Sequence, residues 1–410
     1  MSNNKKKIIN DPVFGFINIP GVLLYDLLQH PDVQRLTRIK QLGLSSYVYP
    51  GAQHTRFQHS VGAMYLMSEA IKTLKSKGID ISEEEEEGAC AAILLHDVGH
   101  GPFSHALEGT IVTNKAHEEI TLQIMKKINQ EYQGKLDVAL AIFQNTYPKT
   151  FLHQLVSGQL DMDRLDYLRR DSFFTGVTEG NIGSARIIKM LNIQDDMLVV
   201  EAKGIYSIEN FLMNRRLMYW QVYLHKTAFA IEKMLINTIR RAKEIAKTDR
   251  SLFGTPSLLY FLQQNNEQTS LSSEEGLNHF LALDDSDIMC SIKQWMHHSD
   301  KILSTLSKGI IDRKLFKINV SNKAFSVPEI EEKIQSICTH LNITPTEANY
   351  FISVDTVSIN MYQNNEDSIN ILYKDGSIKP ISQSSDMLDI QILSREVVKY
   401  YCSYYEIRKA

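Results

Sequence analysis

The chain has 410 residues, of which 43% are hydrophobic and 22% charged, with a formal net charge of -4. That length suits a large core plus an appendage, and the charge argues against a dominant non-specific nucleic-acid surface, so nucleic acid is a disfavoured partner. No apolar run approaches the roughly 20 residues that cross a bilayer, the N-terminal MSNNKKKIINDP lacks the apolar segment of a secretory signal, and Cys90, Cys290, Cys338 and Cys402 show no CxxC spacing. A reducing, cytoplasmic setting without a membrane partner is the expectation.

Residues 8–20 (IINDPVFGFINIP) mix β-branched residues with Pro and Gly, which predicts a short strand or turn. Val61, Met64, Tyr65, Ser68, Ile71 and Leu74 recur at three and four, the spacing of a core-facing helix. Ser82 and Glu85 have capping-box spacing and predict a helix start that continues through Ala89–Leu95. The glutamate run 83–87 is expected to be a solvated first turn rather than a metal tract. Residues 197–205 predict a short hairpin, Ile208–Lys247 one or two long helices, and 262–276 a loop or linker. After about 318, VDTVSINMYQ and SINILYKDGSIKPI alternate and predict antiparallel strands. The expected fold is mainly α: a main domain over 1–250, a helical extension over 251–317 and a C-terminal α+β subdomain over 318–410.

The chemistry concentrates in LLHDVGHGPFSHALE, where His96 and Asp97 sit side by side at the end of an apolar run. Imidazole and carboxylate together suit divalent cations such as Mn, Fe, Zn or Co. His59 in HTRFQHSVGAMYLM and Asp163 in LDMDRLDYLRRD offer the remaining ligands of a four-residue site. A cation so held activates water and polarises a phosphoryl group, which makes phosphoester hydrolysis the natural reaction. The residues alone also allow helix caps, surface pairs and a satisfied core histidine. Against that stands the density of His54, His59, His96, His100, His105 and His117 within one stretch, because every buried ring nitrogen needs a partner.

HTRFQHS, LLHDVGHGPFSH and LDMDRLDYLRRD together resemble the H…HD…D signature of HD-domain phosphohydrolases. More narrowly, with INDPVFGFI, QRLTRIKQLG, YVYPGAQHTRFQHSVG and YLHK in the same order, the chain resembles the deoxynucleoside triphosphate (dNTP) triphosphohydrolases over about residues 7–235. The resemblance implies a helical, metal-dependent phosphohydrolase that uses Mn, Mg, Fe, Zn or Co. His59, His96, Asp97 and Asp163 would be the ligands. His100, His105, His117 and Glu118 would surround the reacting phosphate, with His105 nearest the scissile phosphorus. Arg56, Arg164, Arg215 and Lys226 would hold phosphate oxygens. Gln41, Leu42, Tyr167, Asp171 and Tyr223 would meet the deoxyribose and its surroundings. A leucine and a tyrosine ring packed under C2′ leave a 2′-hydroxyl neither room nor partner.

The resemblance also implies a homo-oligomer, dimer or tetramer, in which the C-terminal strands contribute to assembly or regulation, and a nucleotide activator. Lys7, Ile8 and Asn10, with Arg313 and Lys317, would form the regulatory site. Gln29 and Thr37, however, stand where the animal branch has an acid and an arginine that read guanine, and Tyr219 and Leu224 replace polar side chains near the base. No SAM domain precedes the signature. Two rival functions remain at this level. One is a phosphohydrolase of the same fold acting on ribonucleotide signals or nucleic-acid ends. The other is a non-catalytic regulator that senses nucleotides or binds nucleic acid.

Overall fold

The computed structural model of the protein describes residues 7–112, 115–264, 271, 273–359, 368–387 and 396–407. Its centre is a set of helices: α1 (Arg56–Ser76), α2 (Glu83–Leu95), α3 (His117–Glu131), α4 (Met162–Thr175), α5 (Ile205–Met218) and α6 (Lys226–Thr248). A seventh, α7 (Asp285–Trp295), lies in the predicted extension. Among the described residues, nine short strands complete the frame: β1 (Ile8–Asp11), β2 (Gly15–Asn18), β3 (Leu191–Gln194), β4 (Met197–Glu201), β5 (Lys317–Ser321), β6 (Ile352–Ile359), β7 (Asn370–Leu372), β8 (Ile378–Pro380) and β9 (Val397–Tyr404). None of the described helices is long and apolar enough to cross a membrane.

The helix starts follow their capping chemistry. Thr55 and Gln58 form a reciprocal capping box that begins α1, earlier than the apolar periodicity alone indicates. Ser82 and Glu85 do the same for α2, with N–H···O distances of 2.8 and 3.1 Å. From Gly88 to Leu95 every residue of α2 is buried, as expected of a helix with no polar face in its second half. The glutamate run needs one correction. Glu83 and Glu84 are exposed, but Glu85 is buried and accepts from Lys149 Nζ (2.8 Å) and Tyr147 (3.0 Å), and Glu86 pairs with Lys75.

Three other expectations shift. The 8–20 segment is a hairpin, β1 against β2. The hairpin placed at 197–205 is β3–β4 over 191–201, turning at Asp195–Asp196, both with positive φ; two aspartates tolerate that conformation, and the apolar pattern did not mark the first strand. The helical run from Ile208 breaks between α5 and α6 at a π turn over Tyr219–Tyr223, where Leu224 N–H still bonds Tyr219 O at 2.8 Å.

The C-terminal strands divide between two sheets. β5, β9 and β6 form one antiparallel sheet in that order. β7 and β8 form the antiparallel hairpin expected of SINILYKDGSIKPI, but β7 also adds parallel to β4, pairing Val200 with Ile371. Of the candidate loop at 262–276, residues 265–270 and 272 lie outside the described residues, and helices Pro256–Gln263 and Glu274–Ala282 flank them.

Candidate active site

The capping box at Thr55 fixes the first turn of α1, so that Arg56 and His59 point inward and are 2% and 0% exposed. α2 ends at His96, and α4 brings Asp163 across from the other side. His59 Nε2 lies 3.3 Å from His96 Nε2 and 3.1 Å from Asp163 Oδ1. His96 Nε2 is 3.5 Å from the same Asp163 oxygen and 3.4 Å from Asp97 Oδ1. Asp97 Oδ2 stands 3.8 Å from His59 Nε2 and accepts from Arg56 at 2.5 Å.

The outer ring nitrogens fix the tautomers. His59 Nδ1 donates to Asp166 (2.7 Å) and His96 Nδ1 donates to the Ile93 carbonyl (2.6 Å). Both Nε2 atoms therefore face one point beside two carboxylates, an arrangement that needs positive charge at its centre, from a proton on His59 or from a cation that displaces it. The donor set and its hydrogen-bonded support fit a divalent cation. His59, His96 and Asp163 converge within 4.8 Å, and Asp97 borders them.

A chain of buried ions stands behind the cluster. Asp166 accepts from Arg170 Nε (2.9 Å) and Nη2 (3.0 Å), and Arg170 Nη1 donates to Asp11 at the end of β1 (2.8 Å). Gly62 makes room for it, since a Cβ there would lie 2.0 Å from Asp166 Oδ1 and 2.2 Å from Arg170 Nη2. In the sequence Asp166 is one of four crowded aspartates, with Asp161, Asp163 and Asp171, and apart from its spacing to Arg170 nothing local marks Asp11 or Arg170 as its support. The i,i+4 spacing of Asp166 and Arg170 was the available signal.

Burial opposes charge throughout the site, and neighbours decide the outcome. Burial alone would lower the pKa of His59, but hydrogen bonds to Asp163 and Asp166 hold it at about 10. Burial would raise Asp97, yet His100, His96 and Arg56 keep it well below the usual carboxylate range. His100 is pushed well below the usual histidine range by burial and by Arg56, so it is neutral at pH 7.

A cavity of about 480 Å³ opens from the cluster. Gln41, Leu42, Arg56, His100, His117, Arg164, Tyr167, Asp171 and Tyr223, all named from the sequence, line it with Asp97 and Asp163. Asp171 is held by His54 Nε2 (2.7 Å) and the Tyr223 hydroxyl (2.8 Å). Gln41 Oε1 is a buried acceptor without a partner among the described residues. His100 and His117 stack at 4.0 Å, and His117 contacts Glu108 (3.0 Å) and Glu118 (3.3 Å). Lys40, Phe103, Ser104, Tyr219 and Glu232 also line the cavity; of these only Tyr219 had been singled out.

Other named residues fall outside the lining. Glu118 and Lys226 are exposed. Arg215 is buried, with Nη1 3.4 Å from Gln159 Oε1. His105 belongs to the short helix Ser104–Leu107, but its side chain lies outside the described residues. The five residues named for a regulatory site come from the N-terminal hairpin and from the chain around 313–317. Lys7 covers the Tyr25 ring, Ile8 and Asn10 lie on β1, Arg313 donates to the Tyr47 carbonyl, and Lys317 begins β5.

The HD domain family matches residues 56–171 and the HD associated region matches 182–256. The chain is 30% identical over 403 residues to the uncharacterized protein YwfO of Bacillus subtilis, covering 94% of this chain and 89% of that one. The chain belongs to the HD-domain family of phosphohydrolases. A crystal structure titled as a phosphohydrolase from Bacteroides thetaiotaomicron is similar to this HD-domain protein with a TM-score of 0.95 and 60% identity, covering 98% of this chain and 100% of that one. A deoxynucleoside triphosphate triphosphohydrolase SAMHD1 homolog from Dictyostelium discoideum is 29% identical over 270 residues, 61% of this chain and 52% of its own length. The HD match begins at Arg56 and ends at Asp171, so it holds the whole His/Asp cluster. Gln41 and Leu42 precede it, and Arg215, Tyr223 and Lys226 fall in the associated region.

Proposed function

We propose that this HD-domain protein is a cation-dependent dNTP triphosphohydrolase, converting a dNTP and water to a deoxynucleoside and inorganic triphosphate. One observation carries the reading: a single cavity is lined both by Asp97 and Asp163 of the His/Asp cluster and by Gln41, Leu42, Tyr167, Asp171 and Tyr223. His59, His96, Asp97 and Asp163 would hold the divalent cation. When bound, such a cation supplies an acidified water and a polarised phosphoryl oxygen.

The chain's own residues do the rest. Arg56 and Arg164 present guanidinium charge to the phosphates. Asp161 keeps Arg164 charged above its ordinary value, and the Gly158 carbonyl fixes its Nε at 2.6 Å. His100, neutral and stacked on His117, directs its one N–H to Asp97 Oδ1 (3.2 Å) and so braces that carboxylate beside the phosphates without adding charge. As the bond from the α-phosphorus to O5′ breaks, O5′ requires a proton, and the resemblance, which puts His105 nearest the scissile phosphorus, makes that residue the donor in this reading. On the sugar, Gln41 Oε1 is an acceptor awaiting a hydroxyl donor. Asp171, oriented by His54 and Tyr223, is a second acceptor with lone pairs to spare.

The test is a product analysis of dNTPs, NTPs and single-stranded DNA with added Mn or Mg. Triphosphate release from dNTPs, at least about 100-fold faster than from NTPs, is the expected result, because an apolar wall rejects an added hydroxyl on that scale. Leu42→Ala should shrink the discrimination by about tenfold through gain of NTP turnover. Preferred turnover of NTPs or of DNA ends would overturn the assignment, as would the absence of any turnover.

Cation binding also has a proton signature. Without a cation, His59 keeps a proton below pH of about 10; a cation at the cluster needs that ring neutral. Binding at pH 7 should therefore release about one proton. Apparent affinity should rise about tenfold per pH unit between 7 and 9. Titration calorimetry with Mn in buffers of different ionisation enthalpy measures the release directly, and a pH-independent affinity would contradict it.

A further inference from the structure

The two walls of the substrate cavity come from different parts of the chain, and one carboxylate joins them. The first wall is the Lys40–Ser45 segment that carries Gln41 and Leu42. It is tied to the start of α1, since Gln41 N–H bonds the His54 carbonyl (3.0 Å) and Arg56 N–H bonds the Ile39 carbonyl (2.9 Å). The second wall is the Phe103–Ala106 segment that follows Asp97 and His100. It begins at Phe103, whose φ of 49° is a left-handed conformation that costs a non-glycine residue energy unless its surroundings hold it.

Asp285, in the first turn of α7, reaches both walls. Its Oδ2 accepts the Lys40 backbone N–H at 2.9 Å and its Oδ1 accepts the Phe103 backbone N–H at 3.1 Å. Neither oxygen serves α7 itself. Asp284 caps that helix in a reciprocal box with Asp287 and also pairs with Arg38 at 2.6 Å. Asp285 is only 7% exposed, and burial raises its pKa to about 6, partly offset by the two backbone donors. A buried carboxylate is retained here against its desolvation. Gly43 shows how close the walls come: a Cβ there would lie 3.7 Å from the Phe103 ring. Residue 285 lies beyond both family-matched segments.

We infer that Asp285 is a positioning residue that sets the spacing of the two cavity walls, and with it the grip on the sugar end of the substrate, while leaving the His/Asp cluster alone. Resting on the dNTP reading, the inference predicts a larger effect on substrate affinity than on the chemical step, which the second wall touches through His105. Asparagine keeps the size and offers one acceptor oxygen, but turns an N–H group toward the other donor.

The experiment uses the full chain and Asp285→Asn. Hydrogen exchange followed by mass spectrometry should show faster exchange in peptides covering both residue 40 and residue 103, with peptides of α1 and α2 unchanged. For a dNTP, KM should rise about tenfold and kcat should fall by less than that, since the second wall also carries His105. Turnover of bis-p-nitrophenyl phosphate, which needs the cluster but not the sugar contacts, should stay within twofold. Asp285→Glu should restore part of the protection. Unchanged exchange at either wall, exchange that rises throughout the chain, or a fall in kcat at constant KM would each overturn the inference. If the wild-type protein turned over no dNTP, the substrate reading would fail, and the exchange result would still decide whether Asp285 couples the walls.

Discussion

Replacing His96 by Ala together with Asp97 by Asn should reduce turnover by about 10⁴-fold or more, to the level of the uncatalysed background. The two side chains are half of the proposed ligand set, and losing the cation removes several kcal/mol of charge stabilisation in the transition state. Asparagine is the better choice at 97 because Asp97 also faces Arg56 and His100. Alanine would leave the Arg56 guanidinium, 2% exposed, without its carboxylate, and an unpaired buried charge costs about 3–5 kcal/mol. With asparagine the fold should survive, so loss of turnover in a protein with native circular dichroism isolates the chemistry. Elemental analysis should find the cation lost as well. Turnover within tenfold of wild type would remove the basis of the proposed function.

The second large effect is expected away from the cavity. Arg170→Met should destabilise the protein by about 3–5 kcal/mol, since it strands Asp166 and Asp11, 0% and 4% exposed, without their shared cation. Asp166 then loses the partner that keeps its carboxylate ionised and aimed at His59 Nδ1. Mn affinity should fall by about 10–100-fold, the usual consequence of disturbing the groups behind a metal ligand. Denaturant titration and metal binding on the same preparation measure both. The neighbouring Arg169→Met is the control, because Arg169 lies over the Phe14 ring and, among the described residues, donates to Ser184 and the Val13 carbonyl rather than to a buried carboxylate. It should cost far less and leave Mn affinity unchanged. Equal effects from the two variants would mean that the Asp166–Arg170–Asp11 chain has no special role.

Much of the site was legible in the sequence because its residues sit beside strong local signals. His59 follows a capping box, His96 and Asp97 end an apolar helix, and Asp163 opens another helix behind an aspartate cap. Local pattern places such residues at element ends. Ligand chemistry, not periodicity, joined them into one candidate site, and the resemblance added Gln41 and Leu42, which lie in irregular backbone. What escaped were contacts made only by the tertiary fold. Asp11 meets Arg170 across 159 positions and Asp285 meets Lys40 across 245, and no window along the chain can connect such pairs. The sheets failed for a related reason. Alternation in 352–359 and 370–380 predicts strands but carries no information on partner choice, so the addition of β7 to β4 could not be foreseen.

That added strand has a consequence for how the molecule is made. β4 cannot acquire its parallel neighbour until residues roughly 170 positions further on have left the ribosome. During synthesis the helical centre can assemble while the outer edge of β4 offers its backbone groups to any extended chain. A message cut short near residue 350 would leave that edge open for the life of the product. Shortened forms of this protein should therefore clump even where the His/Asp cluster is intact.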